Sequence, residues 1–174
     1  MTEPIRLNIG GTEAKPGWTI LNIAPAPHVD VVGDFTDLAR FADGSVAEIY
    51  ASHVLEHVPE PKMRQGLREF FRIMQPGGRL MVAVPDLLLL CRIYADPRLD
   101  VQHRFELMHT IYGGHADEHD VHHAGYDEAL LRLLIEATGF RGVQRVQDFG
   151  LFKDMSTMEY LGVRISLNMV AHKP

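Results

Sequence analysis

The stretch PKMRQGLREFFRIMQPGGRLMVAVPD, residues 61–86, carries two periodicities back to back. Met63, Leu67, Phe70, Phe71 and Met74 are spaced i, i+4, i+7, i+8 and i+11, which gathers them on one face of an amphipathic helix. Pro76-Gly77-Gly78 then reads as the stop, and Leu80-Met81-Val82-Ala83-Val84 follows without a polar residue. An all-apolar strand beside an amphipathic helix is the pattern of a central parallel strand covered on both faces. The reading is an α/β fold.

Upstream, residues 5–9, 18–23 and 29–32 are short β-type runs separated by Gly10-Gly11, Pro16-Gly17 and Pro25-Ala26-Pro27, and residues 45–52 give a fourth strand. Downstream, the reading predicts a buried helix over 87–94 and a second over 101–112 with Val101, Phe105, Met108 and Ile111 on one face. A third follows over 127–138, with Leu130, Leu131, Leu134 and Ile135 inward and Gly139 as its cap. Strands over 143–149 and 163–170 close the sheet. Strands alternating with helices make one open domain over residues 1–174 with a mainly parallel sheet of about seven strands. Only eight residues separate Ile9 from Trp18, too few for the helix that normally joins two parallel strands. The sheet is therefore reduced at its N-terminal end, and the face left bare must be covered by the C-terminal region or by a second copy in a homodimer.

Composition narrows the function classes. With 17 Lys+Arg against 23 Asp+Glu the formal charge is −6, and no basic stripe is present to meet a nucleic-acid backbone. The apolar run 80–91 is broken by Pro85 and Asp86 and falls short of the roughly 20 residues that span a bilayer. One cysteine, Cys91, excludes an internal disulfide and reads as structural; with no basic-then-apolar N-terminus, the expectation is a cytoplasmic protein without nucleic-acid or membrane partners. Histidine is in surplus: six of the ten lie between positions 103 and 123.

In open α/β sheets ligands bind beyond the carboxyl ends of the strands, which nominates Gly10-Gly11, Asn22, Gly33-Asp34, Ser52-His53 and Pro85-Asp86. The order Leu7-Asn8-Ile9-Gly10-Gly11, Gly33-Asp34, SHVLEH at 52–57, PGG at 76–78 and VPD at 84–86 resembles the class I S-adenosylmethionine-dependent methyltransferases, in particular a small subgroup of predicted methyltransferases. The match is strongest over residues 5–86. The resemblance implies a Rossmann-like sheet of seven strands with the last antiparallel, S-adenosylmethionine as cofactor and a small-molecule acceptor. It implies that Asn8, Gly10 and Gly11 form the loop facing the methionine moiety, with Ser52 and His53 beside it. Asn22 would stand where an acid usually meets the ribose hydroxyls, and Asp34 would take the adenine amino group. Two positions depart from the pattern. Thr12 replaces a second glycine and Asn22 replaces a carboxylate, which weakens charge-assisted hydrogen bonding to the ribose.

His53 and His57 are candidate bases for the acceptor, since a neutral imidazole suits that task near neutral pH; Asp86 and His123 are the further catalytic candidates. Asp86 has a competing role as the N-cap of the next helix. Tyr112-Gly113-Gly114 and His123-Ala124-Gly125-Tyr126 match stretches of the same subgroup, which implies substrate contact by His123. The segment 115–123 holds four histidines and three acids, a metal-ligating composition without the His-Glu-x-x-His spacing of a strong motif, and no metal ligands are assigned. Three readings follow. The first is a methyltransferase acting on a small polar acceptor such as a sugar or other hydroxyl-bearing metabolite. The second is a degenerate relative that binds or assembles without turnover, and the third is a metal-dependent enzyme using the His115–His123 cluster.

Overall fold

The computed structural model describes residues 4–174. Strands β1 (Ile5–Ile9), β2 (Thr19–Asn22), β3 (Val31–Val32) and β4 (Val46–Ser52) precede helix α1 (Glu60–Ile73), strand β5 (Met74–Pro85) and helices α2 (Leu87–Tyr94), α3 (Val101–Tyr112) and α4 (Glu128–Thr138). Strand β6 (Arg141–Val146), the hairpin β7 (Glu159–Tyr160) and β8 (Val163–Arg164), and strand β9 (Ser166–His172) complete the chain. Seven strands form one sheet in the order β3-β2-β1-β4-β5-β9-β6. β9 runs antiparallel to both its neighbours, and the other pairs are parallel. This is the Rossmann-like arrangement expected, with the single reversed strand where the resemblance placed it.

Alternation decides which face each side chain takes. Leu7 and Ile9 of β1, Ile49 and Ala51 of β4, Leu80, Val82 and Val84 of β5 and Leu167 and Met169 of β9 point to one side. There they meet Met63, Leu67, Phe70 and Ile73 of α1 and Leu131, Leu134 and Ile135 of α4. Each fully buried Leu, Ile or Phe side chain contributes about 1.5–3 kcal/mol relative to exposure, so this layer supplies most of the driving force. Helix α1 ends earlier than Pro76-Gly77-Gly78 suggests: Met74 is already extended, and the tripeptide lies inside β5. Pairing jumps from Val46–Met74 to Glu48–Arg79, so the intervening residues bulge out of the ladder. Gly78 is required there, because a Cβ would sit 2.9 Å from the Gln75 carbonyl oxygen and 3.0 Å from that of Ala47.

No helix joins β1 to β2, as the residue count dictated. The opposite face is covered by the chain's own C-terminal region. Trp18, Tyr50 and Met81 pack with Phe149, Leu151 and Phe152 from residues 147–158, which cross the sheet as a strap between β6 and the hairpin. The Tyr50 hydroxyl donates to the Asp154 carboxylate (2.8 Å to Oδ2, 3.0 Å to Oδ1) and lies 3.1 Å from Ser156 Oγ. Asn168 Nδ2 donates to the carbonyls of Gln147 and Ser156, both at 2.9 Å. From the β1–β2 loop, Lys15 Nζ donates to the Leu151 carbonyl and lies 5.0 Å from the Phe152 ring centre.

The later helices depart from expectation in their facing. In α3 it is Leu107 that is fully buried, with Ile111 packed beside Leu90 and Ile165, while Val101 is 83% exposed and Phe105 56%. In α2 only Leu90 is buried, and Cys91 is exposed rather than packed inside. In α4 Leu130 faces out. Each of these helices is apolar on more than one side, so periodicity alone does not select the inward stripe. Among the described residues no helix is long and apolar enough to cross a membrane.

Candidate functional site

A two-lobed cleft opens where β1, β2 and β4 end. The larger lobe, about 440 Å³, is lined by Asn8, Gly11, Ser52, the α3 terminus and strap residues Phe152–Met155. The smaller, about 220 Å³, is lined by Asn22, Gly33, Asp34, Phe35 and Val54. Ile9, Gly10, His53 and His57 belong to both lobes and make the cleft continuous.

The β1 terminus is built for close approach. Gly10 adopts φ +73°, and its amide donates to the Leu21 carbonyl at 2.7 Å, which bends the chain away from β1. A Cβ at Gly10 would lie 2.7 Å from Val54 Cγ2, and one at Gly11 would lie 2.6 Å from Asn8 Nδ2. The space beside each glycine is therefore filled by a neighbouring side chain, Val54 at Gly10 and Asn8 at Gly11, so the loop packs without room for a Cβ. Asn22 fastens the loop: Nδ2 donates to the Gly11 carbonyl at 3.2 Å, while Oδ1 accepts from the Ala24 amide at 3.1 Å. A carboxylate could not make the first of these bonds, so the amide at this position has a local reason. Oδ1 keeps a second lone pair for a hydroxyl. Asp34 closes its own turn by accepting from the Thr36 amide at 2.9 Å.

His53 occupies the left-handed region at φ +53°, a conformation unusual for a side-chain-bearing residue and of the kind that clusters at functional sites. Its Nε2 lies 2.9 Å from Ser166 Oγ, whose proton goes to the Met155 carbonyl at 2.6 Å. Ser166 therefore accepts from Nε2–H. Nδ1 lies 3.2 Å from Glu56 Oε1. Glu56 is fully buried, and neither carboxylate oxygen meets a hydrogen-bond donor in bonding geometry; His57 Nδ1 is likewise buried and unpartnered. An unpaired buried carboxylate is costly, which makes this cluster the least satisfied part of the interior.

The histidine-rich segment folds over the larger lobe. The His122 amide donates to the Tyr112 carbonyl at 2.9 Å and the His115 amide to the Asp120 carbonyl at 2.8 Å, closing residues 113–122 into a loop. The His123 amide donates to the Glu56 carbonyl at 2.7 Å and so ties the loop's end to the turn over 55–57. The His122 and His57 rings meet edge to face with centres 4.7 Å apart. Burial, and less strongly the neighbouring His57, hold the His122 imidazole below its ordinary value, with Glu56 opposing. Asp120 is lowered, first by the Ala116 amide and then by that of Gly114 and the nearby histidines.

Of the candidates read from sequence, Asn8, Gly10, Gly11, Asn22, Asp34, Ser52, His53 and His57 all line the cleft. Asp86 and His123 do not. Asp86 accepts from the Leu89 amide at 3.1 Å as the N-cap of α2 and from Arg145 Nη2 at 2.9 Å. Sequence reasoning missed the strap wall, which comes from about 100 residues beyond β4, and the burial of Glu56. The SHVLEH stretch names Glu56, but nothing local marks it as interior.

Residues 16–82 match the model of a family described as a methyltransferase domain. No curated protein matches the sequence. Among solved structures, an S-adenosylmethionine-dependent methyltransferase from Archaeoglobus fulgidus is 17% identical at a TM-score of 0.60, covering 98% of this chain and 87% of its own. Human N-acetylserotonin methyltransferase in complex with S-adenosylmethionine is 16% identical at 0.55, covering 98% of this chain and 47% of its own. A possible exported protein from Bordetella parapertussis is 15% identical at 0.57, covering 98% of this chain. The chain spans 62% of that protein's length and about half of the human enzyme's. The methyltransferase-domain match thus spans residues 16–82, and the chain as a whole shares the fold of solved S-adenosylmethionine-dependent methyltransferases.

Proposed function

We propose that the chain transfers a methyl group from S-adenosylmethionine to a small polar acceptor. The observation that carries this reading is the continuous cleft at the ends of β1, β2 and β4, whose two lobes share Gly10 and His53. Asn22 and Asp34 would hold the ribose and the base in the smaller lobe, and Asn8, Gly10, Gly11 and Ser52 would face the methionine moiety. The cofactor supplies an electrophilic methyl on a sulfonium. What remains for the protein is to align an acceptor and take its proton, and alignment alone accounts for much of the rate in such reactions.

The acceptor enters the larger lobe beneath residues 109–122. His53 is the base: Ser166 fixes the ring, Nδ1 carries the lone pair, and Glu56 stabilises the imidazolium once the proton arrives. His57, on the same cleft wall, is the second candidate. Asp86 and His123 act from outside the cleft, by holding α2 and by fastening the histidine-rich loop.

Calorimetry with S-adenosylhomocysteine tests the reading. The expected outcome is binding that Asp34→Ala and Asn22→Ala each weaken. Absence of heat up to millimolar ligand would sink it. Binding without turnover on any hydroxyl-bearing acceptor would favour the degenerate relative.

A further inference from the structure

We infer that Glu56, His57 and His122 form a binding site for a divalent transition metal of the zinc or iron class at the base of the cleft. Their ligand atoms all lie within 4.8 Å of one another. A tetrahedral ion about 2.0–2.2 Å from each donor sets donor separations of about 3.4 Å, so the three side chains close on it by shifts of about 1 Å.

Three further observations point to a cation at this place. The Glu56 carboxylate is fully buried and has no hydrogen-bond donor in bonding geometry, a state that an ion resolves. His57 Nδ1 is buried without a partner. His122 places Nδ1 3.2 Å from the Ile111 carbonyl, so the ring donates there and leaves its lone pair on Nε2. A ligating imidazole usually has its other nitrogen anchored in this way.

Two imidazoles and one carboxylate are the donor set of borderline divalent metals, in contrast to the oxygen-rich shells of calcium and magnesium. Three protein ligands leave a position open to an oxygen donor. His57 lines both lobes and His122 the larger, so that oxygen comes from the cleft. The metal site stands independently of the methyl-transfer reading. Its use for holding an acceptor oxygen rests on that reading.

The test uses untagged protein stripped with chelator, titrated with zinc and with manganese, and read by calorimetry and by metal analysis after desalting. One equivalent of zinc is expected to remain. Glu56→Gln and His122→Ala should each weaken zinc by about 100-fold or more, beyond the 10–100-fold seen for outer-shell changes. His103→Ala, in the first turn of α3 and outside both lobes of the cleft, should bind as wild type. His122 lies in a surface loop, so its variant keeps the test open if Glu56→Gln fails to fold. Equal zinc binding by wild type and His122→Ala, or no retained metal in the wild type, overturns the site. S-adenosylhomocysteine binding measured on the stripped protein, with Asn22→Ala and Asp34→Ala as the reporters, separates the two proposals, because neither Asn22 nor Asp34 is among the three ligands.

Discussion

The strap over the helix-free face is held by Tyr50, and removing one oxygen atom measures how firmly. In Tyr50→Phe the ring keeps its packing against Phe149 and Phe152 (centres 5.4 and 4.7 Å away) but loses the hydroxyl that meets Asp154 and Ser156. A hydrogen bond to a charged group contributes about 1.5–3 kcal/mol. Asp154 is only partly buried and regains water when the phenol is gone, which places the loss in the lower part of that range, about 2 kcal/mol. Urea unfolding should show the unfolding free energy falling by that amount, through a lower midpoint at an unchanged slope. Hydrogen exchange should quicken over residues 149–157 before it changes in β5. A loss under about 0.5 kcal/mol, the size of an ordinary surface substitution, with exchange unaltered in the strap, would refute the assignment.

Other outcomes follow from the cleft and its supports. Gly11→Ala places a Cβ 2.6 Å from the movable end of Asn8 and should weaken S-adenosylhomocysteine about tenfold, roughly 1.4 kcal/mol, with little change in melting temperature; unaltered affinity would remove Asn8 and Gly11 from the binding loop. Asp86→Ala forfeits the α2 cap and the Arg145 pair and should lower stability by about 1–2 kcal/mol while homocysteine-product binding persists; a stable variant that has lost only turnover would place Asp86 in the chemistry after all. Asp120, whose folded value is depressed, stabilises the 113–122 loop fully above the unfolded carboxylate range near about 4 and loses that contribution as pH falls through its folded value. NMR of the Ala116 amide should follow this titration; an amide shift that is flat down to acid unfolding would count against it.

How much of this was legible in advance depended on how local the signal was. The helix–strand pair over residues 61–86 declared itself through spacing, and the missing helix through a count of eight residues. The cleft residues after β1, β2 and β4 followed from strand order. Contacts between distant segments left no trace: Trp18 and Tyr50 meet Phe149 and Phe152 across a separation of about 100 residues or more, and no periodicity encodes that. Facing was lost where helices carry apolar residues on several sides, as Leu107 against Phe105 in α3 shows. The histidine cluster was visible by composition, but its partner was not. Of the residues 115–123, it is His122 that reaches the Glu56 and His57 of an earlier turn, and only the fold brings them together.

Trp18 is the sole tryptophan, and its ring meets Tyr50 and Phe152 edge to face at 6.3 and 5.3 Å between centres. The large layer beneath α1 and α4 contains none. The chain thus carries a built-in optical reporter that watches one side of the sheet only. Its emission follows the docking of the strap, and because Phe152 also lines the larger lobe, it follows what enters the cleft. Ellipticity follows the rest, so the two signals part company whenever the strap lifts from an otherwise intact sheet.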